Sequence, residues 1–237
     1  MQSERDRREA EQKARIQEAL RDKKLVIIVG AGVSLSATQP SPPRLTWTGL
    51  IQNGLAYLVE EAFVSPDNAD LKFYRTSLQQ ESPTIRQVLR VCNYLKDELD
   101  QHRKYATWLD TVFGTLQDDV TQPEILHVLG RAYAKGAKLL TTNYDELLER
   151  ICGLQRIRRS IPDDVRKFER GTLNGVFHVH GSFQDPDDVV LDAVDYYKVK
   201  ASDNVQDLLK TYLAHNTILF LGCRGGLKDP NFNALLS

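Results

Sequence analysis

Lys24 is followed by five consecutive apolar residues, Leu25-Val26-Ile27-Ile28-Val29, which run without a break into Gly30-Ala31-Gly32-Val33-Ser34. That junction constrains the chain more than any other stretch. The run is rich in β-branched residues, which suits a strand, and it is too short for a buried helix. A strand that is apolar at every position has no face to give to water. It must be covered on both sides, as is a strand inside a parallel sheet flanked by two layers of helices. The glycines at its end mark a tight turn into the next element.

Three further segments share this character: Ala137-Lys138-Leu139-Leu140-Thr141-Thr142, Val176-Phe177-His178-Val179-His180 and Thr217-Ile218-Leu219-Phe220-Leu221. Helically patterned stretches separate them, so the expected fold class is α/β, a Rossmann-like doubly wound parallel sheet. Between the first two strands, Trp47 to Phe63 carries Leu50, Ile51, Leu55, Leu58 and Val59 at helical spacing. Thr84 to Leu99 repeats the pattern with Pro83 at its entry, and Tyr105 to Phe113 and Glu124 to Tyr133 are shorter helices. A single crossover needs far less, so a helical subdomain inserted at about residues 46–135 is expected. Arg156 to Arg170 is basic, is interrupted by Pro162-Asp163-Asp164, and reads as a solvated loop. Residues 1–23 read as a charged helical arm, with Glu4–Arg8, Glu9–Lys13 and Glu11–Arg15 in the favourable acid-first order. Residues 24–237 then form one domain. Asn231 to Leu236 starts a helix without a closing glycine, so the chain is expected to be part of a longer protein that carries a regulatory or sensor module.

Bulk properties exclude several classes. The formal net charge is −1 over 237 residues, which offers no general attraction to nucleic acid or anionic lipid. No apolar run approaches the roughly 20 residues that span a bilayer, and the charged start is no secretory leader. The three cysteines, Cys92, Cys152 and Cys223, lie far apart. They point to reduced thiols in a cytoplasmic protein, and the absence of any CxxC pair rules out a cysteine zinc ribbon.

Chemistry-bearing residues collect at the strand ends. The glycines of Gly30-Ala31-Gly32-Val33-Ser34 let a backbone approach a phosphate closely, and amides at a helix start favour an anion. The dinucleotide fingerprint is nevertheless broken: Leu35 stands where its third glycine belongs, and the acid expected about 20 residues later is missing. A tight turn with no ligand is the alternative. Thr141-Thr142-Asn143-Tyr144-Asp145 puts polar side chains at the carboxyl edge of the second strand, where open α/β sheets bind ligands; a helix cap is the alternative there. His180-Gly181-Ser182 ends the third strand. An imidazole with an ordinary pKa of about 6.5 suits acid–base work. His178 is expected to face the other side of the strand and to matter for stability more than for chemistry.

The three motifs GAGVS, TTNYD and VHGS, in this order and each at a strand end, resemble the sirtuin family from about residue 24 onward. The stretches Leu45-Thr46-Trp47-Thr48-Gly49-Leu50 and Leu227-Lys228-Asp229-Pro230-Asn231-Phe232 look like the divergent sirtuin-like domains of defence and NTPase-linked proteins. The resemblance implies NAD as substrate, with Gly30, Ala31, Gly32, Ser34, Thr142, Asp145, Gly222 and Cys223 binding it. Asn143 and His180 would be catalytic, and Gly222 to Gly226 would form the ribose loop. Protein deacylases of the family carry four zinc-binding cysteines and a Phe-Gly-Glu segment after the HG motif. This chain has neither; Phe183-Gln184-Asp185-Pro186 follows instead. The losses fall on the peptide side and spare the NAD side. They imply a zinc-free hydrolase of the nicotinamide–ribose bond. Such a reaction needs restraint, and the exposed charged arm could dock on a neighbour, so a homo-oligomer is expected. A non-catalytic NAD or ADP-ribose sensor is one alternative, and an NAD-dependent protein deacylase or ADP-ribosyltransferase is another.

Overall fold

The computed structural model describes residues 4–80 and 83–223. In chain order the elements are α1 (Glu4–Arg21), β1 (Leu25–Val29), α2 (Ala31–Ala37), α3 (Trp47–Glu60), α4 (Ala69–Leu78), α5 (Ile85–Gln101), α6 (Tyr105–Phe113) and α7 (Glu124–Ala134). They continue as β2 (Lys138–Thr141), α8 (Leu147–Cys152), β3 (Arg156–Arg158), α9 (Pro162–Glu169), β4 (Val176–His178), α10 (Ala193–Lys200), α11 (Asp203–His215) and β5 (Thr217–Leu221).

The described strands form one sheet in the order β3-β4-β2-β1-β5, and every pairing is parallel. β1 sits inside it, and all five of its residues are buried. Side chains alternate between the two faces. Leu25, Ile27, Val29, Leu139 and Val176 join a core with Val33, Leu50, Leu95, Trp108, Leu126 and Leu147 from α2, α3, α5, α6, α7 and α8. Val26, Ile28, Leu140 and Phe177 join a second core with Val165, Phe168, Val199, Leu208 and Tyr212 from α9, α10 and α11. Two helical layers on one parallel sheet are the α/β, Rossmann-like architecture that the β1 run demands.

The basic stretch from Arg156 to Arg170 departs from the solvated loop expected. It contains the edge strand β3, with Ile157 buried, and helix α9, with Val165 and Phe168 buried. Pro162 at the first helical positions and Asp163 and Asp164 in the first turn start α9 instead of interrupting it, because proline fits a helix start and acids favour its positive end. β4 ends at His178, two residues earlier than the apolar pattern suggests. α5 opens on a capping box between Thr84 and Gln87.

Register sets the working edge. Val29 pairs with both Thr141 and Leu221, and Thr141 pairs with His178. The carboxyl ends of β1, β2, β4 and β5 therefore come level. β1 is followed on one side by β2 and on the other by β5, so the chain changes winding direction here, the place where open sheets bind ligands.

Candidate functional site

The β1 and β5 turns meet backbone to backbone. Gly30 N–H donates to Leu221 O (2.9 Å) and Gly32 N–H to Gly222 O (3.0 Å). A Cβ on Gly32 would lie 2.8 Å from Gly222 Cα, and one on Gly30 would lie 2.9 Å from Cys223 Cα. Gly222 itself holds φ of 71°, a left-handed conformation that glycine adopts at little cost. These glycines thus have a packing reason within the chain, beside the ligand role expected of them. Arg224 to Gly226, the rest of the expected ribose loop, and the Leu227–Phe232 stretch lie outside the described residues.

The end of β2 turns against β1. Thr142 N–H donates to Val29 O (3.0 Å), and Thr141 Oγ1 accepts from Asn143 N–H (3.0 Å). This turn carries Asn143 to the first turn of α2, where its Nδ2 donates to Ser34 Oγ (2.9 Å). Ser34 Oγ–H in turn donates to Asp145 Oδ2 (2.7 Å), and Asp145 Oδ1 accepts from Leu147 N–H (3.2 Å) at the start of α8. Asp145 is buried, and burial pushes its carboxyl above the ordinary range, against the Ser34 and Leu147 hydrogen bonds and the nearby His178, which pull it back. While Asp145 is ionised it can only accept. Ser34 must then point its hydrogen at Asp145 and offer a lone pair to Asn143. That fixes the Asn143 amide with its nitrogen toward Ser34 and its oxygen turned away. Three residues expected at the site, Ser34, Asn143 and Asp145, are brought into one hydrogen-bonded row.

His180 reaches the same edge one strand over, where Val179 N–H donates to Thr141 O (2.9 Å). Strict alternation would put His178 and His180 on one face. They part because the strand ends at His178 and Gly181, at φ of 77°, folds the chain back; a Cβ there would lie 2.1 Å from Asp188 O. His180 is buried with its ring edge-on to Tyr196, centroids 5.6 Å apart, and Tyr196 in turn meets Trp47 at 6.3 Å. His178 turns to the opposite side. Its Nε2 lies 2.6 Å from Glu149 Oε1 and its Nδ1 3.2 Å from Gly181 O.

The segment after His180 is fastened down. Phe183 N–H donates to Tyr144 O (2.9 Å), Tyr144 Oη–H to Val190 O (2.6 Å) and Val190 N–H to His180 O (2.9 Å). Arg156 pairs with Glu146 and with Asp185 (3.1 Å), Ser182 Oγ–H donates to Glu146 (2.7 Å), and Arg159 pairs with Asp188 (3.0 Å). Phe183 packs its ring on Phe113, centroids 5.9 Å apart.

Glu149, Tyr196 and the partnership of His178 were missed in the sequence. One signal was there: Glu149 is an acid within the short, largely apolar segment Leu147-Leu148-Glu149-Arg150-Ile151-Cys152 that follows Asp145. Among the described residues no group of three or more His, Cys, Asp or Glu side chains is placed to hold a metal ion, and no helix is long and apolar enough to cross a membrane.

Residues 137–237 match the SIR2-like domain family. The chain is 27% identical over 229 residues to Defense-associated sirtuin 2 of Bacillus subtilis, an alignment covering 94% of this chain and 20% of that protein. The chain thus spans about a fifth of the length of the curated relative it matches. The resemblance first read from three strand-end motifs holds: the chain is similar to a divergent, defence-type sirtuin-like domain.

Proposed function

We propose that this domain binds NAD at the carboxyl edge of its sheet and hydrolyses the nicotinamide–ribose bond, giving nicotinamide and ADP-ribose or a cyclised form of it. SIR2-like domains bind NAD. The observation that carries the reading is the Asp145–Ser34–Asn143 row at the winding reversal, with His180 on the neighbouring strand end.

Cleavage of a glycosidic bond passes through an oxocarbenium-like state. Nicotinamide leaves as a neutral ring, so the protein has little protonation to supply on that side. Its tasks are to seat the dinucleotide and to bring water to the anomeric carbon. Asn143 cannot act as a base, since an amide does not titrate at working pH; its directed oxygen orients a ribose hydroxyl or the water. His180 is the base toward that hydroxyl or water, a role worth about 10²–10⁴-fold in rate. Asp145 receives the carboxamide N–H of nicotinamide. Gly30, Ala31, Gly32, Thr142, Gly222 and Cys223 line the side of the pyrophosphate and ribose. The fastened Phe183–Asp188 segment beside His180 favours water over an acylated peptide as acceptor.

The test is incubation of the pure protein with NAD and chromatography of the products, with and without an acylated peptide. Asn143→Ala and His180→Ala are each expected to lose at least about 100-fold in turnover with the fold intact. Turnover unchanged in both variants overturns the assignment. A second reading, a sensor that holds NAD or ADP-ribose without cleaving it, draws on Gly32, whose amide is already engaged by Gly222 O. Calorimetric binding of NAD with no product formed would favour it. We assign the reaction to a defence response, by analogy with the name of the Bacillus relative.

A further inference from the structure

We propose that His178 and Glu149 are a buried positioning pair, which fixes the polarity of the Asp145–Ser34–Asn143 row and the turn that carries His180. The proposal rests on the reading of Asn143 and His180 as the groups that meet substrate. It begins with the surroundings of one ring. His178 is 1% exposed, and both of its nitrogens face acceptors. A carbonyl has no hydrogen to give, so Nδ1 must carry one and donate it to Gly181 O. At 2.6 Å from Glu149 Oε1, Nε2 shares a second proton with that carboxylate. The pair therefore holds a proton that a lone neutral histidine would not.

Two consequences follow from where this proton sits. Asp145, in the turn before α8, and Glu149, in the first turn of α8, are both buried and four residues apart. The shared proton balances one of the two carboxylates, and Asp145 can stay ionised. Lost, it would leave two buried like charges, and Asp145 would take up a proton to relieve them. A protonated Asp145 becomes a donor, Ser34 is no longer obliged to donate toward it, and the Asn143 amide loses its fixed direction. The second consequence is steric: Gly181 follows His180 directly, and the hydrogen bond from His178 to Gly181 O holds the left-handed turn that swings His180 toward Tyr196. One side chain thus acts on both expected catalytic residues without touching substrate. The charged groups facing its ring are Glu149 from α8 and Asp145 from the β2–α8 turn. Burial opposes the charge on His178, but Glu149 beside it and the Gly181 carbonyl hold the imidazole above an ordinary histidine.

The test uses His178→Gln, which leaves Glu149 charged beside Asp145 and removes the Nδ1–H donor to Gly181 O, and Glu149→Gln, which keeps shape and can donate to Nε2 while removing the charge and the shared proton together. The first readout needs no turnover. Nitrogen-resolved NMR of the wild-type imidazoles is expected to show His178 still carrying protons on both nitrogens at a pH where an ordinary imidazole is neutral, and Glu149→Gln is expected to leave it neutral there. In the NAD assay, His178→Gln is expected to lower kcat by about 10- to 100-fold, less than losing the base itself, with KM little changed, and Glu149→Gln, which removes the second buried carboxylate together with the shared proton and keeps the bond to Gly181 O, is expected to lose less than His178→Gln. A wild-type His178 that titrates like a free imidazole overturns the proposal, and so does a folded His178→Gln protein whose kcat matches wild type. A wild-type protein that turns over no NAD overturns the hydrolase reading, and the imidazole spectra then decide the positioning pair by themselves.

Discussion

At the residue scale, the buried charges Asp145 and His178 make stability depend on pH in a definite direction. Both groups are held above their ordinary values, Asp145 because it is buried and His178 because Glu149 and Gly181 O outweigh burial. Each binds protons more readily folded than unfolded. The stability that His178 contributes is then fully present below its ordinary value of 6.5 and is lost as pH rises through its raised folded value. Asp145 acts in the same sense, beginning from its ordinary 3.8 upward. The melting temperature is expected to fall as pH rises above about 6.5 through the raised folded value of His178, and the fall should be shallower in Glu149→Gln. Thermal melts by circular dichroism check this; a wild-type melting temperature that is flat or climbs over that window contradicts it.

At the scale of elements, the site exists because two turns from distant parts of the chain touch without side chains between them. The β1–α2 turn and the turn after β5 close to hydrogen-bonding distance through Gly32 N and Gly222 O. Adding one methyl at Gly32 drives a Cβ to 2.8 Å from backbone, which cannot rotate away as a flexible side chain would. Gly32→Ala is expected to cost about 1–3 kcal/mol through this overpacking. At about 2–4 °C per kcal/mol for a domain of this size, the melting temperature should drop by roughly 2–12 °C. A Gly32→Ala protein that melts with wild type would mean the two turns do not meet as described.

At the scale of the whole molecule, the proposed NAD hydrolysis would need control from somewhere, because unrestrained cleavage would empty a cell of a cofactor it needs. The charged helix α1 offers an exposed surface, with its ion pairs Arg5–Glu9, Arg7–Glu11 and Arg8–Glu4 turned to solvent and only Ala19 buried. We propose that it docks between copies of the chain and that the assembled form is the active one. Specific activity should then rise steeply with protein concentration, and deleting residues 1–22 should alter that dependence. Constant specific activity over a wide dilution range, with a monomer by light scattering throughout, would rule the assembly out.

What the sequence determined by itself follows from local physics. A run such as Leu25–Val29 can be satisfied only inside a parallel sheet, and helical periodicity marked α3, α5, α6 and α7. The three polar strand ends were legible for the same reason: an apolar run that stops abruptly at glycine, threonine or histidine shows where the sheet edge lies. The tertiary structure alone decided what depends on neighbours far apart in the chain. Ile157 and Phe168 look like parts of a charged loop until α11 and β4 cover them, because burial of an edge strand shows no periodicity over three residues. The Ser34–Asp145 contact spans 111 residues, and that of His178 with Glu149 spans 29. Hydrogen-bond partners and the charges they stabilise are set by distance in space, which pattern along one chain does not encode. The separation of His178 from His180 came from the point where β4 stopped pairing, fixed by the close packing of Gly181 against Asp188 and not by alternation along the strand.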